Sequence, residues 1–231
     1  MNLSQRDEHL RELMDDPDCD PKRLDATLRR FGLVNRLVAG WDTVYRARLR
    51  GLLAGLDKPA RVLDIGSGGG DVVTHLARRA QRDGFEVEWT GVDPDPRAHV
   101  AALSRAASPT IRFVCADAQA LLDRGEKFDV VISNHVLHHL DAAELQEFTE
   151  ASLQLATTSV LHSDIARSRL AYSLFSVGIT PLAPGTFLRT DGLRSIRRSY
   201  QREELAAALG SRWRVSSPAA FRLVAEGAGR G

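Results

Sequence analysis

The hydrophobic pattern divides the chain into two regimes. Through residue 57 the apolar positions recur at helical spacing, with no strand alternation. Leu24, Leu28, Phe31 and Val34 form one stripe; Trp41, Val44, Tyr45, Leu49, Leu52 and Leu53 form a second. Asp20-Pro21 reads as a helix start, with Asp as cap and Pro in the first helical position. Gly55 and Pro59 close the second run. From residue 60 short apolar runs alternate with helical patterns, which predicts an α/β fold with a parallel sheet and crossover helices. Strands are expected at 61–65, 87–92, 111–115, 128–133 and 159–162, and helices at 71–82, 97–106, 118–123 and 142–154. Residues 163–200 break the alternation and read as an insertion. A short helix at 201–209 ends at Gly210, and a strand pair at 213–216 and 221–225 flanks Ser217-Pro218. Residues 226–231 are expected to fray. The resulting division is a helical cap at 1–57 and a sheet-bearing domain at 58–231, with 163–200 covering the site.

Composition narrows the class. With 231 residues, 43% hydrophobic and 26% charged, the chain suits one well-buried globular domain with an appendage. A net charge of +1 leaves no nucleic-acid footprint. The basic residues are nearly all arginine and form no single patch; the lysines are Lys22, Lys58 and Lys127. Cys19 and Cys115 stand far apart, which argues against a disulfide framework or structural zinc and fits a reducing compartment. The longest apolar stretch, 170–188, is interrupted by Gly178, Pro181, Pro184 and Gly185, so no membrane span is expected. The charged N-terminal residues are unlike a signal peptide, and a cytoplasmic location is expected.

The chemistry gathers where predicted strands end. Arg61-Val62-Leu63-Asp64-Ile65 runs into Gly66-Ser67-Gly68-Gly69-Gly70 and then into a helical pattern from Asp71. That is a buried strand feeding a tight ligand-binding turn. A dinucleotide loop places its third glycine where Asp71 stands. Carboxylates at a helix start disfavour a pyrophosphate and suit a cationic ligand. Asp93-Pro94 ends the second strand, where a carboxylate accepts from ribose hydroxyls or caps the next helix. Asp117-Ala118 ends the third, where the acid accepts from an adenine amine, the Ala118 N–H faces a ring nitrogen, or the acid caps a helix. Asn134 and His135 end the fourth.

These four stretches, in this order, resemble the class I S-adenosylmethionine (SAM)-dependent methyltransferases over residues 60–162. The resemblance implies a Rossmann-like seven-stranded, mostly parallel sheet with one antiparallel strand, and SAM as cofactor, left as S-adenosylhomocysteine (SAH). By position it implies Asp64, Gly66, Ser67, Gly68 and Gly70 around the methionine part. Asp93 with Pro94 falls at the ribose, Asp117 with Ala118 at adenine, and Asn134 with His135 on the methionine side. The stretches Arg30–Arg36 and Asp191–Arg198 are similar to bacterial methyltransferases of phenolic, quinone or polyketide products.

Methyl transfer to a phenol needs an aligned nucleophile and a proton acceptor. His138, His139 and His162 are the candidate bases. Helical geometry turns adjacent residues about 100° apart, so one of His138 and His139 is expected to face the site, and His139 is preferred. His162, on the fifth strand, reads equally as a structural histidine. His135 and His139 have metal-like i,i+4 spacing, but Val136 stands where H-E-x-x-H has Glu, and no metal is expected. Asp164 orients a base, binds a substrate hydroxyl or caps the next segment. Tyr172 and Phe175 in the insertion, with Trp41 and Tyr45 opposite, are candidates to wall an aromatic pocket. Arg197, Arg198 and Tyr200 are candidates to meet an acidic or phenolic group, and Arg197 and Arg198 read equally as a solvated face. The expected reaction is O-methylation of a small aromatic, phenolic or polyketide-derived acceptor. C-methylation of a quinol or resorcinol ring is the alternative, and a non-catalytic SAM-binding regulator is the alternative of another class. No nucleic-acid partner is expected, and monomer and homodimer are both compatible.

Overall fold

The computed structural model describes residues 3–38, 40–56, 59–105 and 108–231, with backbone alone at 35–38. Seven strands form one sheet: β1 (Ala60–Ile65), β2 (Val87–Asp93), β3 (Ile111–Cys115), β4 (Phe128–Asn134), β5 (Ala156–Ile165), β6 (Trp213–Ser216) and β7 (Arg222–Ala228). Their order is β3-β2-β1-β4-β5-β7-β6. β1 to β5 pair in parallel, and β7 runs antiparallel to both β5 and β6. The expected Rossmann-like, mostly parallel sheet is therefore what forms. The order reverses between β1 and β4, and the crevice at such a switch point is where open α/β sheets bind ligands.

The helices are α1 (Pro21–Val38), α2 (Trp41–Val44), α3 (Arg50–Ala54), α4 (Asp71–Arg82), α5 (Pro96–Leu103), α6 (Ala118–Asp123), α7 (Ala142–Leu155), α8 (Arg169–Gly178), α9 (Leu188–Arg198) and α10 (Arg202–Leu209). A π-helical stretch, Tyr45–Leu49, joins α2 to α3. Alternation along the strands feeds two cores. Val62, Val130, Ile132 and Leu161 face α2 to α4. Leu63, Val131 and Val160 face α6, α7 and α10.

Several expectations shift. The segment before β1 splits between two places. Its second half packs into the main core, where Trp41, Tyr45 and Leu49 are buried. Its first half, α1, packs on the insertion: Leu24 and Leu28 meet Phe187, and Val34 meets Ile179 and Leu188. The expected boundary at 57–58 and the expected helix end at Ala106 lie outside the described residues. β5 continues to Ile165, because Ser163, Asp164 and Ile165 pair with Val224, Leu223 and Arg222. The expected insertion at 163–200 thus begins inside a strand and is mostly the two helices α8 and α9. Residues 226–231 do not fray: β7 reaches Ala228, and the Arg230 and Gly231 N–H groups donate to Ala156 O at 2.9 and 2.8 Å. No described helix is long and apolar enough to cross a membrane.

Candidate active site

The glycine turn is clipped to the end of β2. The Gly66 and Ser67 N–H groups both donate to Val92 O at 2.9 Å. Gly68 takes φ +51° and donates its N–H to Asp93 Oδ2 at 2.9 Å. A Cβ on Gly68 meets nothing within 4 Å, so the backbone there is bare toward open space. Gly70 serves packing instead: with φ +74°, its Cβ would fall 2.4 Å from Phe113 Cζ.

Three carboxylates surround this turn. Asp64 is 1% exposed, and its Oδ1 has no hydrogen-bond partner among the described residues. Burial, then Asp71 and Asp93, push its carboxyl well above the usual range. Burial also raises Asp93, although the Asp95 and Gly68 N–H groups pull it back. Asp95 caps α5 through the Arg97 N–H at 2.8 Å, which leaves Asp93 to the cavity.

That cavity has a volume of about 880 Å³. Asp64, Gly66, Ser67, Gly68, Asp93, Pro94, Asn134 and His135 line it. Asp117 and Ala118 do not: Asp117 is exposed and accepts the Ala120 N–H at 2.8 Å, so its structural role is the cap of α6. Phe31, Leu174, Phe175, Ile179 and Leu182 supply apolar walls to the same cavity.

Both adjacent histidines line the cavity as well. They sit in a 3₁₀ turn, Leu137–His139, not in an α-helix. Their rings lie side by side, centroids 4.3 Å apart, and both line the cavity. The expectation that only one faces the site is thereby corrected. The Arg198 Nε and Arg6 Nη2 groups both donate to His138 O at 3.1 Å, and Arg198 Nη2 donates to His139 O at 2.7 Å. His138 Nδ1 donates to Asp164 Oδ1 at 2.7 Å, and its backbone N–H donates to Asp164 Oδ2 at 2.9 Å. Asp164 is thus the orienting carboxylate of His138. Burial pulls the His138 imidazole down, but Asp164 and Glu12 outweigh it and raise it to about 9. His139 is half-buried, its Nδ1 3.2 Å from Asp15 and its Nε2 3.6 Å from Glu12.

Other expected site residues lie elsewhere. His162 is fully buried between Phe148 and Trp213, with Nδ1 bonded to Ser133 Oγ at 2.8 Å. It points into the core opposite α2 to α4, away from the cavity lining, and is structural. Trp41 and Tyr45 are core residues, the Tyr45 hydroxyl donating to Asp83 at 3.1 Å. Tyr172 lies outside the lining while Phe175, three residues on, is part of it. Arg197 is paired with Asp7 at 2.6 Å, and Tyr200 is buried beneath the Arg6 guanidinium.

Three lining residues were not among the expected site residues, although Asp191 opens a stretch noted in the sequence. Glu12 is buried against the histidines and Ser195; burial raises it, but His139 and His138 bring it below the usual value. Asp191 accepts the Leu13 and Met14 N–H groups at 2.8 and 3.0 Å, which holds the Glu12 segment down. Burial lifts its carboxyl to about 6. Arg222 is 1% exposed and donates to Asn134 Oδ1 at 3.0 Å and His135 Nε2 at 2.5 Å. His135, at φ +62°, is held neutral by burial and by that guanidinium.

Residues 62–157 match the family model for a methyltransferase domain. Among curated proteins, the mitochondrial ubiquinone biosynthesis O-methyltransferase of Arabidopsis thaliana is 34% identical over 124 residues, 51% of this chain and 36% of that one. The Azorhizobium caulinodans ubiquinone biosynthesis O-methyltransferase is 39% identical over 85 residues, 36% of this chain and 31% of its own length. The chain therefore spans only about a third of these two relatives. Among solved structures, the plantazolicin methyltransferase BpumL in complex with SAH superposes with a TM-score of 0.65 at 15% identity, covering 96% of both chains. The CurJ carbon methyltransferase superposes at 0.64 and 15% identity, over 93% of this chain and 62% of that one. In agreement with the glycine turn and its acids, residues 62–157 carry a methyltransferase domain, and the sheet has the fold of these solved methyltransferases.

Proposed function

We propose that the protein transfers a methyl group from SAM to a hydroxyl oxygen of a small aromatic, phenolic or polyketide-derived acceptor. The observation that carries this reading is one cavity lined together by an acidic glycine turn, two histidines and apolar walls. The glycine turn and its acids fit SAM. Asp64 Oδ1 is a buried acceptor lacking a partner among the described residues, which suits an ammonium. Asp93 lines the cavity with a carboxylate for two ribose hydroxyls. SAM, when bound, supplies a methyl already made electrophilic by its sulfonium. Asp117 and Ala118 keep their assignment to adenine through the family likeness alone.

The chain's own work is to hold the acceptor and take its proton. Phe31, Phe175, Ile179 and Leu182 offer an apolar bed for a ring. His138, raised to about 9, already carries its proton at neutral pH, so His139 is the proton acceptor of the pair. Asp15 Oδ2 lies 3.2 Å from the His139 Nδ1 and helps hold the ring in place. The curated relatives are named for O-methylation in ubiquinone biosynthesis, which supports oxygen as the methylated atom and a phenolic ring as the acceptor.

The test is calorimetry with SAM and SAH, followed by label transfer from methyl-labelled SAM to a panel of phenols, resorcinols and quinols. Product NMR distinguishes O-methyl from C-methyl. Binding of both cofactor forms without transfer to any acceptor would favour a regulatory SAM-binding protein.

A further inference from the structure

We propose that Glu12, His138 and His139 form a site for a divalent first-row metal ion of the zinc type, with one coordination position open to the cavity. The ligand atoms, one from each residue, all lie within 4.8 Å of one another. Glu12 Oε1 is 3.4 Å from His138 Nε2 and 3.6 Å from His139 Nε2. Ligands about 2.0–2.1 Å from a tetrahedral ion stand roughly 3.4 Å apart, so two of the three separations already match. Two imidazoles and one carboxylate select zinc-like ions over magnesium or calcium.

The surroundings of the triad carry the inference further. Each histidine has a carboxylate at Nδ1: Asp164 for His138 at 2.7 Å and Asp15 for His139 at 3.2 Å. Both Nε2 atoms are thereby turned toward the same oxygen of Glu12. This is the carboxylate–histidine arrangement that orients metal-bound imidazoles. The Ser195 hydroxyl donates to the Glu12 carboxylate and steadies the third ligand. The arginines on the His138 and His139 carbonyls fix the turn itself. All three ligands line the cavity, so an ion here has room for a fourth, exchangeable ligand.

The role of the ion rests on the methyl-transfer reading; its binding does not. An acceptor hydroxyl in the open position is acidified by the ion. Its O–H bond breaks, and the proton leaves to solvent, which reaches half-buried His139. The oxygen keeps the electron pair and forms the O–C bond as the C–S bond of SAM breaks, leaving SAH. His139 then serves as a ligand in the metal-loaded protein, and the ion takes over the task assigned to it in the ion-free one.

Chelator-treated protein is titrated with Zn²⁺ by calorimetry and with Co²⁺ by visible absorption. The expected result is one ion per chain, Co²⁺ bands of a low-coordinate site, and no competition from Mg²⁺. Glu12→Gln and His139→Gln are each expected to weaken Zn²⁺ by about 100-fold or more, and Asp164→Asn by about 10- to 100-fold. Circular dichroism verifies the fold of each variant, and a Zn²⁺-dependent rise in Tm, present in the parent and lost in the variants, is the second readout. Absence of saturable Zn²⁺ binding, or equal binding in Glu12→Gln and His139→Gln, overturns the site. Transfer lost on chelation and restored by Zn²⁺ but not Mg²⁺ supports the ion's role; transfer unimpaired by chelation removes it. Zn²⁺ binding without transfer to any acceptor would leave the site standing and the proposed reaction wrong.

Discussion

Asp93 Oδ2 accepts the Gly68 backbone N–H at 2.9 Å, joining the end of β2 to the bare apex of the glycine turn. One carboxylate thus shapes the turn and presents acceptors to the cavity. Asp93→Ala is expected to weaken SAM binding by about 10- to 150-fold, the equivalent of one charged hydrogen bond of roughly 1.5–3 kcal/mol. Asp93→Asn should fall between. Calorimetry with SAM and SAH checks both, and unchanged affinity would overturn the proposed role of Asp93 at the ribose.

Asp64 pits stability against binding. Its raised pKa means the folded, ligand-free protein carries an unfavourable buried charge above that value, while below it the carboxyl is protonated. Asp64→Asn is expected to raise the Tm of the ligand-free protein at neutral pH, by about 2–4 °C per kcal/mol relieved. The gain should shrink as pH falls through the raised value. The same variant should bind SAM more weakly. Scanning calorimetry across pH, with and without SAM, reads both effects.

His162 is the acid-sensitive element of the core. Burial holds it at about 3 against an ordinary 6.5. Between those values the unfolded chain takes up a proton that the folded chain refuses, so stability falls as pH falls. At ~1.4 kcal/mol per pH unit, the full window is worth about 5 kcal/mol. His162→Gln keeps an acceptor for Ser133 Oγ and removes the titration. Its Tm should depend less on pH between 6.5 and 4, and it should retain methyl transfer at neutral pH. Loss of transfer in a folded His162→Gln would return it to the active site.

Gly192, on α9, faces Phe175, on α8, in the lining of the cavity. A Cβ at 192 would lie 2.4 Å from the Phe175 ring. Gly192→Ala must displace that ring, at about 1–3 kcal/mol for overpacking, partly offset by about 1 kcal/mol of helix propensity. The expected result is a several-fold higher KM for the acceptor with unchanged SAM affinity. A change confined to SAM affinity would mean that Phe175 does not bound the acceptor.

His139→Ala should lower turnover by about 10²- to 10⁴-fold, the usual range for a lost proton acceptor, and leave SAM affinity intact. Single-turnover transfer and calorimetry on the same preparation separate the two.

The sheet and the glycine-turn lining of the cavity were legible because buried parallel strands read as apolar runs, and their carboxyl ends as Gly, Asp and Asn. Asp64, Gly68 and Asp93 needed no tertiary information. The rest of the lining was not legible. Gly178 at the end of α8, and Pro181, Pro184 and Gly185 between α8 and α9, masked both helices. The spacing rule failed at His138 and His139 because a 3₁₀ turn does not follow α-helical geometry. Glu12 belongs to a stretch without periodicity, held by backbone bonds to Asp191. Arg222 looked like any other arginine in a chain rich in them.

Glu12 and Arg222 come from early and late parts of the sequence, yet they line the same cavity. That has a consequence for the order of assembly. A nascent chain that has finished β1 to β4 already has the glycine turn and Asp93, but Phe175, Ile179 and Leu182 of the apolar wall are added later, and their contacts with α1, so distant in sequence, form slowly. Cofactor affinity should therefore appear during refolding before catalytic competence does, with an interval in which the donor is held and the acceptor chamber is still unbuilt.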